Sequence, residues 1–266
     1  MTEQEKKRRD FIKQIGGLGV LGIAAAAGIY YAPSLKADKL LLRPPGAVEE
    51  DDFLKLCIKC GQCLQVCPYD SIFLEDIEGG ASVGMAYIDP LKRGCYLCEA
   101  FPCILACPTG ALDHEHDDIK FVHMGMAVIV NESACLALKK EPVPDKAIDR
   151  IYENTKVISD KEKKEHKIVI SGNEDEKEQL QKKILEDLEK FRGKDCTICA
   201  DLCPFHPNPE DAIGMVSKNG ALIPEIREAC VGCGACVELC PTQVLNIVPR
   251  ATYEDIYNKG KQNNGQ

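Results

Sequence analysis

Four groups of closely spaced cysteines constrain the fold of this chain more than any other feature. The chain has 266 residues, of which 16 are cysteine and none is tryptophan. Three groups have four members and end in Cys-Pro, and a fourth group has only three, Cys196, Cys199 and Cys203. The complete groups are Cys57, Cys60, Cys63 and Cys67; Cys95, Cys98, Cys103 and Cys107; and Cys230, Cys233, Cys236 and Cys240. Such close runs suit metal or cluster ligation better than a disulfide framework.

The distances between the groups form a repeat, and the repeat supplies the missing cysteine. The links that follow Cys67 and Cys203 contain 27 and 26 residues. After Cys107, a link of 27 residues leads to Cys135, which stands outside every compact group. The repeat therefore predicts a third group of Cys135, Cys196, Cys199 and Cys203, with residues 136–195 inserted, since loop closure becomes costlier only slowly with length. The alternative is a free buried cysteine at 135 beside a three-iron or cysteine-poor site.

The spacing within the groups is typical of ligands to [4Fe–4S] clusters. In the bacterial C-x2-C-x2-C-x3-C-P run, three thiolates bind one cluster, and the fourth cysteine binds the other cluster of a pair. Three sulfurs must then converge from one tight loop, and Gly61, Gly232 and Gly234 let the backbone approach them. Zinc is the main alternative, but structural zinc sites usually combine two short cysteine pairs across a longer gap. The sequence predicts four [4Fe–4S] clusters.

Two pairings of the groups are compatible with the sequence. In the adjacent scheme, which we favour, the first and second groups exchange their fourth cysteines, Cys67 and Cys107. The third and fourth groups likewise exchange Cys203 and Cys240. The nested scheme pairs the first group with the fourth and the second with the third, and the near-equal links do not separate the two schemes.

The links predict an α+β fold of two ferredoxin-like dicluster modules. Each link is expected to hold a helical turn and two strands, the second strands lying at 85–88, 126–130 and 221–223. Within the insertion we expect a short strand at 166–172 and an amphipathic helix at 174–192, either packed on the body or serving as a docking arm. The predicted regions are 1–37, an export signal or anchor; 38–134, the first module; 135–250, the second module with its helical and charged insertion 136–195; and 251–266, a polar tail.

The N-terminus predicts export. Arg8 and Arg9 are followed by Phe11 and by an uncharged stretch, residues 14–35. This pattern resembles a twin-arginine signal, which is read by the twin-arginine translocase. As a helix the stretch would extend about 33 Å, enough to span a bilayer. We expect a periplasmic protein whose segment is either cleaved or kept as an anchor; a basic cap on an ordinary membrane anchor is the alternative.

The charge balance excludes nucleic-acid binding as the expected function. The whole chain has a net charge of −9, and beyond residue 37 there are 27 basic and 39 acidic residues, net −12. An acidic surface suits either solubility or steering toward a basic protein partner. No nucleophile constellation or phosphate-binding loop is recognisable, so we predict no catalytic residues and no enzyme activity of the chain's own.

Several segments together resemble the NapG-type ferredoxins within the wider NapG/MauM family. They are the twin-arginine motif, "LLRPPGAVEEDDFLKLCIKCGQCLQVCPYD" (41–70), "CYLCEAFPCILACPTGALD" (95–113), "GMAVIVNESACL" (125–136), the last two cysteine groups and "DAIGM" (211–215). The resemblance implies an electron carrier with four [4Fe–4S] clusters. It would receive electrons from a membrane NapH-type, quinol-oxidising ferredoxin and pass them toward a periplasmic cytochrome and nitrate reductase. The alternatives are service to an amine dehydrogenase or another molybdoenzyme, or a maturation or sensing factor.

Overall fold

A computed structural model describes residues 40–116, 118–153 and 174–258. The predicted export segment, the predicted strand 166–172 and the end of the tail lie outside these residues. The helices are α1 (Glu50–Leu56), α2 (Gln62–Val66), α3 (Pro102–Leu105), α4 (Leu136–Lys139), α5 (which includes residues 145–153), α6 (Glu174–Glu189), α7 (Ile198–Asp201) and α8 (Ala235–Glu238). Within the described part of the chain, no helix combines the length and the apolar character needed to cross a membrane.

The strands form three small antiparallel sheets. They are β1 (Phe73–Leu74) with β2 (Ala86–Tyr87), β3 (Gly125–Ile129) with β6 (Leu245–Pro249), and β4 (Ile213–Lys218) with β5 (Ala221–Ile226). The β4–β5 hairpin turns at Asn219 and Gly220, which both have positive φ, as a tight hairpin turn requires. Short helices mixed with antiparallel strands agree with the predicted α+β class.

Two of the three predicted strand pairs form within their own links, and one does not. The link after the second cysteine group contains a 3-10 turn, Ile119–Phe121, and the single strand β3. The prediction of two strands in this link is therefore wrong. β3 instead pairs with β6, which follows the fourth group, in a register that runs from Gly125 opposite Pro249 to Ile129 opposite Leu245. The link after the second group is thus joined by a sheet to the segment after the fourth group, more than a hundred residues further along the chain.

The main core is built around the cysteines. Phe53, Ile72, Ile104 and Met126 are almost completely buried in it. Cysteines from all four groups belong to the same cluster of packed side chains. Because cysteines of every group pack into this core, the core and the thiol sites form one structure.

The insertion adds a second, smaller core. Val143 and Ile148 pack there with Leu188 of α6 and with Ile198 of α7. Leu188 is fully buried, so α6 packs on the body. This agrees with the first of the two expectations for the helix, packing on the body rather than serving as a docking arm. The helix ends at Glu189 rather than at 192, and the chain then turns through Gly193, which has φ of 68°.

α6 also reaches the first cysteine group. Lys177 Nζ donates to the carbonyl of Gln65 at 3.0 Å, and Gln181 Nε2 donates to the Asp70 carboxylate at 2.9 Å. Gln65 and Asp70 flank Cys67. A helix from the insertion therefore contacts both the first cysteine run and the smaller core.

Candidate iron–sulfur cluster sites

All sixteen cysteines fall within the described residues, and each is a free thiol. In space they gather into four groups of four, and from here on a group means such a spatial set. Three of these groups take three members from one loop and one from a neighbouring loop, and the third group takes Cys196 and Cys199 from one run, with Cys135 and Cys240 from elsewhere. The first group contains Cys57, Cys60, Cys63 and Cys107. Burial, followed by the electrostatic effect of the other three thiols, raises the pKa of Cys63 to about 12.

The second group contains Cys95, Cys98, Cys103 and Cys67. Burial raises the pKa of Cys98 to about 12, and the neighbouring Cys67 thiol contributes to the shift. Burial also raises the pKa of Cys95, with Cys103, Cys98 and Cys67 as its thiol neighbours. Cys67 and Cys107 are thus exchanged between the first two groups.

The third group brings Cys135 to the incomplete run. Cys135, Cys196, Cys199 and Cys240 line one apolar cavity, whose wall includes Ile198. Burial raises the pKa of Cys196 to about 11, and Cys240 and Cys135 are the thiols that add to it. The structure therefore places Cys135 where the repeat predicts it, across a 60-residue insertion.

The fourth group contains Cys203, Cys230, Cys233 and Cys236, which line a second cavity. Burial raises the pKa of Cys203 to about 11, and Cys230 is its thiol neighbour. This arrangement, like the other three, follows the adjacent scheme. The assignment of the sixteen cysteines as cluster ligands stays a prediction. The structure adds to it which four cysteines lie together in each group.

The loops of three groups share an unusual backbone. The second residue after the first cysteine has positive φ in each: Lys59 at 59°, Leu97 at 48° and Gly232 at 71°. The second residue before the third cysteine does too: Gly61 at 71°, Phe101 at 38° and Gly234 at 85°. Left-handed residues next to right-handed ones turn successive N–H groups into a concave nest that binds anions. Sequence reasoning identified the three glycines and missed Lys59, Leu97 and Phe101.

Backbone amides also point at the fourth cysteines. Ser71 N–H donates to Cys67 Sγ at 3.4 Å, Leu112 N–H to Cys107 Sγ at 3.4 Å, and Val244 N–H to Cys240 Sγ at 3.3 Å. Burial alone would raise the pKa of Cys107, but the hydrogen bonds from Leu112 and Thr109 lower it. Such bonds stabilise a thiolate. These donors were not predicted from the sequence, although each lies only four or five residues after its cysteine.

These features fit an anionic iron–sulfur cluster in each group. Four sulfur donors surround each site, the surroundings are apolar, and N–H groups face the sulfurs. In the described ranges, no three His, Cys, Asp or Glu side chains are arranged to hold a single metal ion. A [4Fe–4S] cluster needs four thiolates around a cube of irons and sulfides rather than around one ion.

Comparison with known families agrees with this chemistry. Residues 56–111 match a model of a 4Fe-4S dicluster domain, and residues 193–245 match a second such model. The chain contains two 4Fe-4S dicluster domains. The predicted [4Fe–4S] cofactors are thereby confirmed, while Cys135 and residues 136–192 of the insertion lie outside both matched ranges.

Curated relatives extend the similarity to most of the chain. The ferredoxin-type protein NapG of Escherichia coli (strain K12) is 28% identical over 240 residues, which cover 87% of this chain and 78% of the relative. The methylamine utilization ferredoxin-type protein MauM of Paracoccus denitrificans is 28% identical over 241 residues, 86% of this chain and 83% of the relative. This chain is related to the NapG and MauM ferredoxin-type proteins. The predicted resemblance to the NapG/MauM family is confirmed.

NapG of Haemophilus influenzae is similar as well, at 27% identity over 91% of this chain and 72% of the relative. No solved structure matches the chain. The relatives identify an iron–sulfur, ferredoxin-type electron carrier, and their identities to this chain are equal enough that they favour neither NapG nor MauM.

Proposed function

We propose that this protein is a periplasmic electron carrier with four [4Fe–4S] clusters. It takes electrons from a membrane quinol-oxidising partner of NapH type and passes them toward a periplasmic cytochrome and nitrate reductase. The observation that carries the proposal is the gathering of all sixteen cysteines into four groups of four, in a chain related to NapG. A cluster held in one of these groups accepts and releases one electron when bound.

The chain's own residues would do three things for such a carrier. The cysteines would hold the clusters in the adjacent scheme, including Cys135 from the near side of the insertion. The buried cysteines would be shielded from water, and N–H donors such as those of Ser71, Leu112 and Val244 would stabilise the thiolates and so tune the reduction potentials. The twin-arginine segment would deliver the folded, loaded protein to the periplasm, and it would then be either cleaved or kept as an anchor.

A second electron-transfer role has equal support from the relatives. MauM proteins are named for methylamine utilization, and their identity to this chain matches that of NapG. In this candidate function the same four groups serve an amine-oxidising chain in place of nitrate reduction. Both roles use the same cysteines and differ only in the redox partner.

The proposal is tested in a strain that lacks the gene for this protein, in which nitrate reduction and growth on methylamine are both measured. Loss of quinol-dependent nitrate reduction, with dye-dependent nitrate reduction retained, supports a relay upstream of the reductase. Loss of methylamine-dependent growth with normal nitrate reduction favours the second role. If both activities persist and no other quinol dehydrogenase can bypass the deletion, both partner assignments are wrong. The purified protein should still contain about 16 iron atoms, four per cluster.

A further inference from the structure

The loop of the second cysteine group lies directly against the loop of the fourth. Cys95 N–H donates to the Cys233 carbonyl at 2.8 Å, and Cys95 forms a parallel bridge with Gly234. The approach is so close that a Cβ atom on Gly94 would lie 2.5 Å from the backbone nitrogen of Ala235. We call this contact, formed by residues 93–96 and 233–238, the junction.

A buried ion pair crosses the junction. Arg93 Nη1 lies 3.0 Å from Glu238 Oε1, and the two side chains are only 3% and 4% exposed. Glu238 Oε2 accepts hydrogen bonds from Gly94 N–H at 2.7 Å and from the Tyr96 hydroxyl at 3.0 Å. Arg93 Nε donates to the Tyr69 carbonyl at 2.8 Å. Glu238 lies between Cys236 and Cys240 in the sequence, so the fourth group's helix α8 is tied to the second group's loop.

The cost of such a pair indicates what it does. Desolvating two charges offsets most of their attraction, and apolar residues of similar size often stabilise a fold as well or better. A pair whose carboxylate receives three donors fixes orientation and distance more than it adds stability. At this position, the distance it fixes is that between two cysteine groups.

We propose that Arg93 and Glu238 are positioning residues that hold the second and fourth cysteine groups against each other, so that these two groups form the electronic contact between the dicluster halves. This inference rests on the proposed function as an electron carrier. It predicts that the four sites form a line in the order first, second, fourth, third.

The remaining neighbours in this line agree with that order. Helix α2, which contains Cys63 of the first group, lies against helix α3, which contains Cys103 of the second. The second and fourth groups meet at the junction through Cys95 and Cys233. Helix α7, which contains Cys199 of the third group, lies against helix α8, which contains Cys236 of the fourth. The first group, at one end of the line, contains Cys60, whose side chain is exposed. The second and fourth groups are the interior members.

Magnetic coupling in the purified, fully reduced holoprotein tests the proposal. Adjacent paramagnetic clusters broaden each other's EPR signals and speed their relaxation, and this effect falls steeply with distance. Gly94→Ala would force the two loops apart, and Glu238→Gln would remove the charge while keeping the shape. In both variants we expect unchanged iron content and loss of the relaxation enhancement between the two interior clusters.

Glu50→Gln is the matched control, because Glu50 forms a similar ion pair away from the junction. Its Oε2 accepts a hydrogen bond from Nε of the buried Arg43 at 3.1 Å. It should leave the coupling unchanged even if it shifts the melting temperature as much as Glu238→Gln does. Wild-type coupling in Glu238→Gln and in Gly94→Ala would overturn the proposal. Gly94→Ala could fail to assemble clusters, and Glu238→Gln and Tyr96→Phe then provide the test, since neither alters the backbone. Wild-type relaxation enhancement in both would overturn the proposal.

The order of the line has its own test. Cys98→Ala, which removes a ligand of the second group, should leave the first cluster magnetically isolated. Cys60→Ala should leave the other three clusters coupled. A first cluster that still couples normally in Cys98→Ala would overturn the order. A wild-type protein without iron would instead refute the proposed function, so the two failures are distinguishable.

Discussion

Cys135 joins a cysteine group from a distant position in the sequence. Its thiol lies with Cys196, Cys199 and Cys240, although 60 residues separate it from the next member of the group. Replacement by Ser removes one thiolate, so Cys135→Ser should lose one cluster, about four of about 16 irons, or convert it to a three-iron form. Iron analysis and EPR measure the change. Ala134→Ser is the control, and retention of four intact [4Fe–4S] signals in Cys135→Ser would show that Cys135 is not a ligand.

Gly232 allows a second test at the scale of the residue. It has φ of 71°, and a Cβ there would overlap the backbone of Gly125, whereas Gly220 has φ of 75° and open space around it. Both Gly→Ala variants incur the left-handed penalty, about 1–2 kcal/mol. Gly232→Ala should therefore lower the melting temperature of the holoprotein further than Gly220→Ala. Equal losses would mean that the approach of the loop to Gly125 does not matter for stability.

Residue spacing alone was enough to predict the position of Cys135, because ligand counts and repeat lengths are properties of the sequence. The left-handed backbone at Lys59, Leu97 and Phe101 could not be predicted in this way. Side chains such as these disfavour positive φ, and they adopt it only where the surrounding fold enforces it. The adjacent pairing was likewise open in the sequence, since equal links allow two schemes, and only three-dimensional proximity distinguishes them.

At the scale of the element, local patterns predicted helix α6 and the β4–β5 hairpin, which depend on contacts near in sequence. β6 was missed, and with it the partner of β3. The pairing of residues 125–129 with 245–249 depends on a contact across more than a hundred residues, and no local period signals such a contact. The C-terminal end of α6 was overestimated for a local reason: the chain turns at Gly193 after Glu189.

Leu188 shows how the insertion contributes to the body. It is fully buried in the smaller core, where it packs with Val143, Ile148 and Ile198. Leu188→Ala should destabilise the protein by about 2–5 kcal/mol, as typical for a buried leucine. Leu222→Ala, at a site that is 41% exposed, is the control and should cost much less. Denaturant midpoints followed through cluster absorbance measure both, and equal midpoints would mean that α6 is not part of the cooperative fold.

At the scale of the whole molecule, the net negative charge bears on how the protein meets its redox partner. The described chain with its net negative charge would attract a basic redox partner over distances of about 8–10 Å at physiological ionic strength. Electron transfer to the partner should therefore slow as salt rises. Stopped-flow reduction of the partner at increasing salt measures this, and a rate independent of ionic strength would show that charge does not steer the encounter.

The proposed export is the last property that concerns the whole molecule, because the twin-arginine route carries proteins that are already folded. Clusters would then be inserted in the cytoplasm, before export, into a chain whose main core includes cysteines of all four groups. Replacing both Arg8 and Arg9 with Lys keeps the charge and removes the motif, so the loaded protein should accumulate in the cytoplasm. Fractionation with iron analysis of each fraction measures this, and Lys6→Arg with Lys7→Arg is the control. Periplasmic delivery of the loaded Arg8→Lys, Arg9→Lys protein at the normal level would show that another route exports it.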